Sequence, residues 1–145
     1  MIVTGEYLFP ATAETVWRRL MDPDALQRAI PGCRQITAIE EDQYQLEIGV
    51  IVGSVKGTFL GNIALRNLNP PVSYEMQVDS AGKAGFVRGI GTIRLQTEGE
   101  QTRVLYEGEV QIGGAVASVG QRLIQAVSKK ITNNFFESMK ENLAQ

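Results

Sequence analysis

The chain has 145 residues, 43% of them hydrophobic and 21% charged, with sixteen acidic against fourteen basic side chains. That is one domain by length, long enough to bury a real core, and a net charge of -2 with both signs scattered lacks the basic face of a nucleic-acid binder. Histidine is absent, which excludes Ser-His-Asp and Cys-His pairs, histidine-bearing zinc or iron sites and an imidazole base.

Residues 2 to 9 alternate, with Val3, Tyr7 and Phe9 in phase, and predict a first strand that Pro10 ends. Thr12 is placed to cap a short helix whose Val16, Trp17 and Leu20 share one face. Asp22-Pro23 starts a second, because an aspartate caps free amides and a proline at the first helical position loses no hydrogen bond. Leu26 and Ile30 point inward from it, and Pro31-Gly32 stops it. Six strands follow, over approximately 33–41, 43–52, 55–68, 72–81, 84–97 and 102–113. Their short connections predict an antiparallel meander. Tyr44, Leu46, Ile48 and Val50 share one face of their strand, and Tyr74, Met76 and Val78 one face of theirs, with polar residues opposite. The last segment, roughly Ala115 to Leu143, carries Val116, Val119, Leu123, Val127, Ile131, Phe135 and Met139 almost all four apart. It predicts one helix about 43 Å long whose apolar face drifts by about 40° every four residues.

Glycines punctuate the apolar faces of the long strands. Val55, Gly57, Phe59, Gly61, Ile63 and Leu65 share one face; Gly85, Val87, Gly89, Gly91, Ile93 and Leu95 another; Val104, Tyr106, Gly108, Val110 and Ile112 a third. Glycine inside a strand marks a bend, a bulge, a close approach or room for a ligand, and both curvature and ligand space remain open here. The fold class is α+β: a curved seven-stranded antiparallel sheet gripping a long terminal helix, with two short helices after the first strand. That helix-grip arrangement encloses space between sheet and helix; the plain alternative is that this space is packed core.

Val16-Trp17, Leu20-Met21-Asp22-Pro23, Leu26 and Ile30-Pro31-Gly32-Cys33 resemble the opening of the CoxG family, named for the CoxG subunit of carbon monoxide dehydrogenase. The resemblance continues through Val52 to Gly61, Asn69-Pro70-Pro71, Gly85 to Gly91, Thr102 to Tyr106, Gly113-Gly114, Gly120 to Ile124 and Phe135-Phe136. It implies a Bet v 1/START-type (SRPBCC) helix-grip domain, residues 1–145, with an apolar small-molecule cavity. It further implies a link to molybdenum-containing carbon monoxide dehydrogenases and related hydroxylases, to their recruitment to the membrane and to a quinone that accepts their electrons. Longer members use a tail for membrane contact, and this sequence ends at Gln145, just after the helix, so tail anchoring is not expected.

In this fold the short helices border the entrance, so Leu20, Leu26 and Ile30 form a candidate gate. On the sheet the candidate ligand-binding residues are Tyr44, Leu46, Ile48, Phe59, Gly61 and Ile63, then Tyr74, Met76, Gly89, Tyr106 and Val110. Leu123, Val127 and Ile131 complete the set from the last helix. Taken singly these residues read as core; as a set beside glycines, an apolar pocket with a few phenol hydroxyls suits a quinone ring. Trp17 reads as a core plug between helices and sheet, with the pocket mouth as the alternative. Arg88 alternates onto the outer face, and Cys33 reads as an inert thiol. Arg122, Lys129, Lys130 and Lys140 read as a solvated helix face.

No catalytic residue, metal or covalent cofactor is expected; the cofactor expectation is a bound quinone or lipid. The start Met1-Ile2-Val3-Thr4-Gly5-Glu6 is unlike a signal peptide, and with a lone cysteine it predicts a cytoplasmic protein, with peripheral contact at the inner membrane face open. The leading function is a non-catalytic carrier of a hydrophobic molecule serving a dehydrogenase or hydroxylase partner. Two alternatives stand beside it. One is a polyketide cyclase/aromatase-like enzyme with Tyr44, Tyr74 or Arg88 as acid; the other is a docking module with a collapsed interior that recruits a dehydrogenase to the membrane.

Overall fold

The computed structural model describes residues 1–141 and 143. Strand β1 (Ile2–Phe9) leads into helices α1 (Ala13–Met21) and α2 (Pro23–Ala29). Six further strands follow: β2 (Cys33–Glu40), β3 (Gln43–Val52), β4 (Val55–Asn69), β5 (Ser73–Gly82), β6 (Gly85–Glu98) and β7 (Gln101–Gly113). A 3-10 helix (Ala115–Val119) and helix α3 (Gln121–Lys140) close the chain. The strands form one seven-stranded sheet in the order β1-β7-β6-β5-β4-β3-β2, antiparallel throughout. The predicted α+β helix-grip architecture is therefore the observed one.

Local signals act as the sequence predicts, with one exception in mechanism. Asp22 caps α2, its Oδ1 accepting the Asp24 amide at 3.1 Å with Pro23 in the first turn. Thr12 occupies the cap position of α1, yet its hydroxyl bonds to the Thr15 hydroxyl at 3.2 Å and leaves the helix amides uncapped. Gly32 takes φ 78° in the turn after α2, where a Cβ would strike the Gly49 carbonyl; no other residue type fits.

The long terminal helix is shorter than predicted. Gly114 (φ 84°) and Gly120 (φ 100°) bracket the 3-10 helix, and α3 starts only at Gln121. Its twenty residues span about 30 Å rather than about 43 Å. The four-residue apolar spacing runs through both pieces and conceals the break. The drift of that stripe is real: Val116 and Met139 are buried at its ends, while Leu123 and Ile131 in its middle are 37% and 42% exposed.

Burial divides into two cores. At one end Trp17, Leu20 and Leu26 from the short helices pack with Tyr44, Ile63, Tyr74, Ile93, Val104, Phe136 and Met139. At the other, Val52, Phe59, Ala84 and Val116 pack together where the β3–β4 and β5–β6 turns meet the 3-10 helix. The sheet's inner face runs continuously between them.

Candidate functional site

Cross-strand register assembles the predicted residues into rows on the inner face. Tyr44 lies opposite Ile63, Ile63 opposite Val78, Val78 opposite Gly89 and Gly89 opposite Val110, so residues drawn from five strands form one line. The next row runs from Leu65 through Met76, Gly91 and Gly108 to Val3. Between the two cores, Met76, Val78, Gly89, Gly91, Tyr106, Gly108 and Val110 are all only partly buried, although they face inward. A close-packed interior would bury them fully.

The glycines separate into two kinds. A Cβ on Gly61 would lie 2.6 Å from both the Asp79 carbonyl oxygen and Ser80 Cβ. Gly61 is therefore a close-approach residue, where β4 and β5 curve against each other. A Cβ on Gly5 would sit 2.6 Å from the Tyr106 ring, which lies over it. Gly89 is different: within 4 Å a Cβ there would meet only the Glu109 carbonyl oxygen at 3.4 Å and Val110 Cγ2 at 3.5 Å. Both are ordinary contacts with the neighbouring strand, and no atom of α3 lies within 4 Å of that Cβ. The neighbouring strand excludes a Cβ at Gly61, whereas a Cβ at Gly89 would make only ordinary contacts.

A groove of about 570 Å³ runs between edge strand β1 and α3, lined by Met1 to Tyr7, Tyr106 and the polar helix residues Gln125, Ser128, Lys129, Thr132 and Asn133. Tyr7 spans it, its hydroxyl donating to Asn133 Oδ1 at 3.2 Å. Three stacked rings stand beside it, Phe136 lying 4.7 Å from Tyr7 and 5.2 Å from Tyr106 with interplanar angles of 22°. A second hollow of about 480 Å³ lies over polar outer-face residues such as Gln45, Asn62 and Asp79. Being polar and on the opposite face, it has no part in the interior.

Tyr74 is the most constrained polar group. It is 1% exposed, edge-on to Trp17 at 5.3 Å, and its hydroxyl has no hydrogen-bond partner. Burial drives its pKa far above the ordinary phenol value. Burial likewise raises Tyr7, helped by Tyr106, and Tyr44, helped by Asp42 and Asp22. These phenols stay protonated at neutral pH, as hydrogen-bond donors rather than bases.

The other predicted residues fall into place around this space. Leu20 and Leu26 are fully buried in the core under the short helices, with Ile30 half-buried beside them. Leu46 and Phe59 are buried, and Ile48 is half-buried. Val127 belongs to the second core, whereas Leu123 and Ile131 stand at the outside of α3. Trp17 is the expected core plug. Arg88 is exposed as expected, paired with Asp79 at 3.2 Å and stacked over Phe86. Burial raises the Cys33 thiol, which bonds to the Gln35 carbonyl and stays protonated.

Tyr7, Val3, Gly91, Gly108 and the polar helix residues Ser128, Thr132 and Asn133 lie beside these residues without having been named as candidate ligand-binding residues from the sequence. Tyr7 carried a signal, being in phase with Val3 and Phe9; the helix residues carried none, because only the apolar stripe identifies a buried face. Among the described residues no group of three or more acidic or cysteine side chains is placed to hold a metal, and no helix is long and apolar enough to cross a membrane.

No curated protein matches the sequence. Among solved structures, a conserved protein from Geobacillus kaustophilus is 32% identical, with a TM-score of 0.94 over 99% of this chain and 95% of that one. A START superfamily protein from Mycobacterium smegmatis (12% identity, TM-score 0.73, covering 99% and 97% of the two chains) shares the fold. So does the ZhuI aromatase/cyclase from a Streptomyces species (14% identity, TM-score 0.74, covering 99% and 94%). The sequence matches the family described as the CoxG subunit of carbon monoxide dehydrogenase over residues 5–144. With that match spanning nearly its whole length, the chain belongs to the CoxG family.

Proposed function

We propose that the protein is a non-catalytic carrier that holds a lipophilic molecule, an isoprenoid quinone or a lipid of similar shape, between sheet and helix, and serves a carbon monoxide dehydrogenase or related molybdenum hydroxylase. The observation that carries this reading is the inner-face strip around Gly89, only partly buried between two well-packed cores. Apolar burial supplies the affinity, at about 25 cal/mol per Å² covered, so a few hundred Å² of ligand outweighs one or two polar contacts. Tyr74, whose hydroxyl has no partner, and Tyr106 offer phenol donors to a carbonyl oxygen. The family name supports the enzyme partner.

Trp17, the sole tryptophan, packs against Tyr74 and provides the test. Titration with a short-chain ubiquinone is expected to quench its emission saturably at one equivalent, and Gly89→Leu to abolish the saturation. Linear quenching identical in both proteins counts against the carrier. A cyclase-like enzyme is the second reading, supported by the fold shared with an aromatase/cyclase. It predicts turnover of a polyketide-like substrate that Tyr44→Phe or Tyr74→Phe removes, whereas the carrier predicts none.

A further inference from the structure

Helix α3 turns an unexpected stripe toward the sheet. Leu123 and Ile131, from the apolar stripe of the sequence, are exposed, and the inward positions lie one residue further on, at Ile124, Ser128, Thr132 and Phe136. Ile124 and Phe136 at the ends of this stripe are buried, whereas the two hydroxyl residues between them are half-buried and line the groove of about 570 Å³ beside β1. The helix therefore gives up apolar contact at its middle, next to an isoleucine that could have supplied it. The Thr132 hydroxyl donates to the Ser128 carbonyl at 2.8 Å, so its proton is committed. Asn133 accepts the Tyr7 hydroxyl through Oδ1, which leaves its amide nitrogen as a donor. Across the groove Val3 and Gly5 sit opposite Gly108 and Tyr106, and Gly108 opposite Gly91. Beyond Val3 that row carries no side chain on β7 or β6, and Gly91 is two residues from Gly89 on the same face. The sheet floor is thus bare from the groove to the strip around Gly89.

We propose that the β1–α3 groove is the polar end of the binding site, where the Ser128 hydroxyl, the Asn133 amide nitrogen and the Tyr106 hydroxyl donate to a carbonyl oxygen of the ligand. The ligand's apolar chain then lies over the bare floor toward Gly89. This inference rests on the carrier reading and adds to it the orientation of the ligand and the chemistry of its head, an uncharged hydrogen-bond acceptor. Glu6, the acid in the groove lining, is held by Arg103 at 3.5 Å and does not compete for these donors.

The test compares a short-chain ubiquinone, followed by Trp17 quenching, with N-phenyl-1-naphthylamine, an apolar probe without oxygen whose own emission rises on burial. Ser128→Ala and Asn133→Asp each remove one donor, and Asn133→Asp keeps an oxygen for the Tyr7 hydroxyl. Each is expected to weaken ubiquinone about three- to tenfold, the loss of one neutral hydrogen bond, and to leave the naphthylamine unchanged. Thr132→Val, which removes a hydroxyl already committed to the Ser128 carbonyl, is expected to change neither. Gly89→Leu, at the chain end of the site, is expected to weaken both. Donor variants that bind ubiquinone as the wild type does, or that lose both probes alike, overturn this inference and leave the carrier reading standing. Wild-type binding of the naphthylamine without ubiquinone also overturns it, whereas a wild type that binds neither probe removes the carrier reading and this inference together.

Discussion

Gly89 and Gly61 face the same interior from neighbouring rows, yet the structure predicts opposite responses to a side chain. Gly61→Ala places a methyl 2.6 Å from the Asp79 carbonyl oxygen and Ser80 Cβ. Ser80 cannot swing away, because it is buried with its hydroxyl donating to the Val87 carbonyl at 3.0 Å. Overpacking of this kind costs about 1–3 kcal/mol, which in a domain of this size lowers Tm by about 3–12 °C. Gly89→Ala meets ordinary contacts at 3.4 and 3.5 Å, on a backbone without a positive φ. Its main effect falls on the unfolded chain, so it is expected to leave stability unchanged or raise it by about 0.4–1 kcal/mol. Gly89→Leu is expected to keep the fold and to fill the space proposed for the ligand. Paired urea melts and quinone titrations on these variants check the argument. Loss of stability in Gly89→Ala comparable to that in Gly61→Ala, or undiminished binding in a folded Gly89→Leu, would refute the reading of Gly89 as open floor.

Tyr74→Phe removes a buried donor that lacks a partner, so the ligand-free protein is expected to gain about 1 kcal/mol in urea melts; a quinone whose carbonyl uses that donor is expected to bind about tenfold more weakly. The folded-state pKa of Tyr74 is raised above the unfolded value near 10. Its stabilising contribution is complete below about pH 10 and is lost as pH rises beyond it, by about 1.4 kcal/mol per unit until the folded pKa is reached. Alkaline unfolding of Tyr74→Phe should accordingly begin at higher pH than that of the wild type, as followed by circular dichroism. Phe136→Ala, which removes the ring that stacks on both Tyr7 and Tyr106, is expected to cost about 3–5 kcal/mol in thermal or urea denaturation. Asp22→Ala, which deletes the α2 cap, should cost about 1 kcal/mol by the same measurement.

The sheet was legible because alternation survives in every strand: Tyr44, Ile63 and Val110 share the inner face that period-two counting assigned them. The start of α2 was legible for a local reason, since Asp22 and Pro23 act on their own few amides. The break before α3 was hidden because the spacing of Val116, Val119 and Leu123 satisfies a helix on either side of Gly120, whose φ of 100° ends the 3-10 helix. Gly61 and Gly89 look alike in the sequence because what distinguishes them is the backbone and side chains of the adjacent strand. Likewise the pairing of Tyr7 with Asn133 joins residues 126 positions apart, and no local pattern announces it.

Native mass spectrometry of the protein, as purified and after incubation with a short-chain ubiquinone, tests the central claim most directly. The account predicts a one-to-one adduct, either co-purified and identifiable after solvent extraction or formed on addition, which is absent from folded Gly89→Leu. A wild-type protein that carries no lipophilic molecule and forms no adduct with quinones or fatty acids would contradict it.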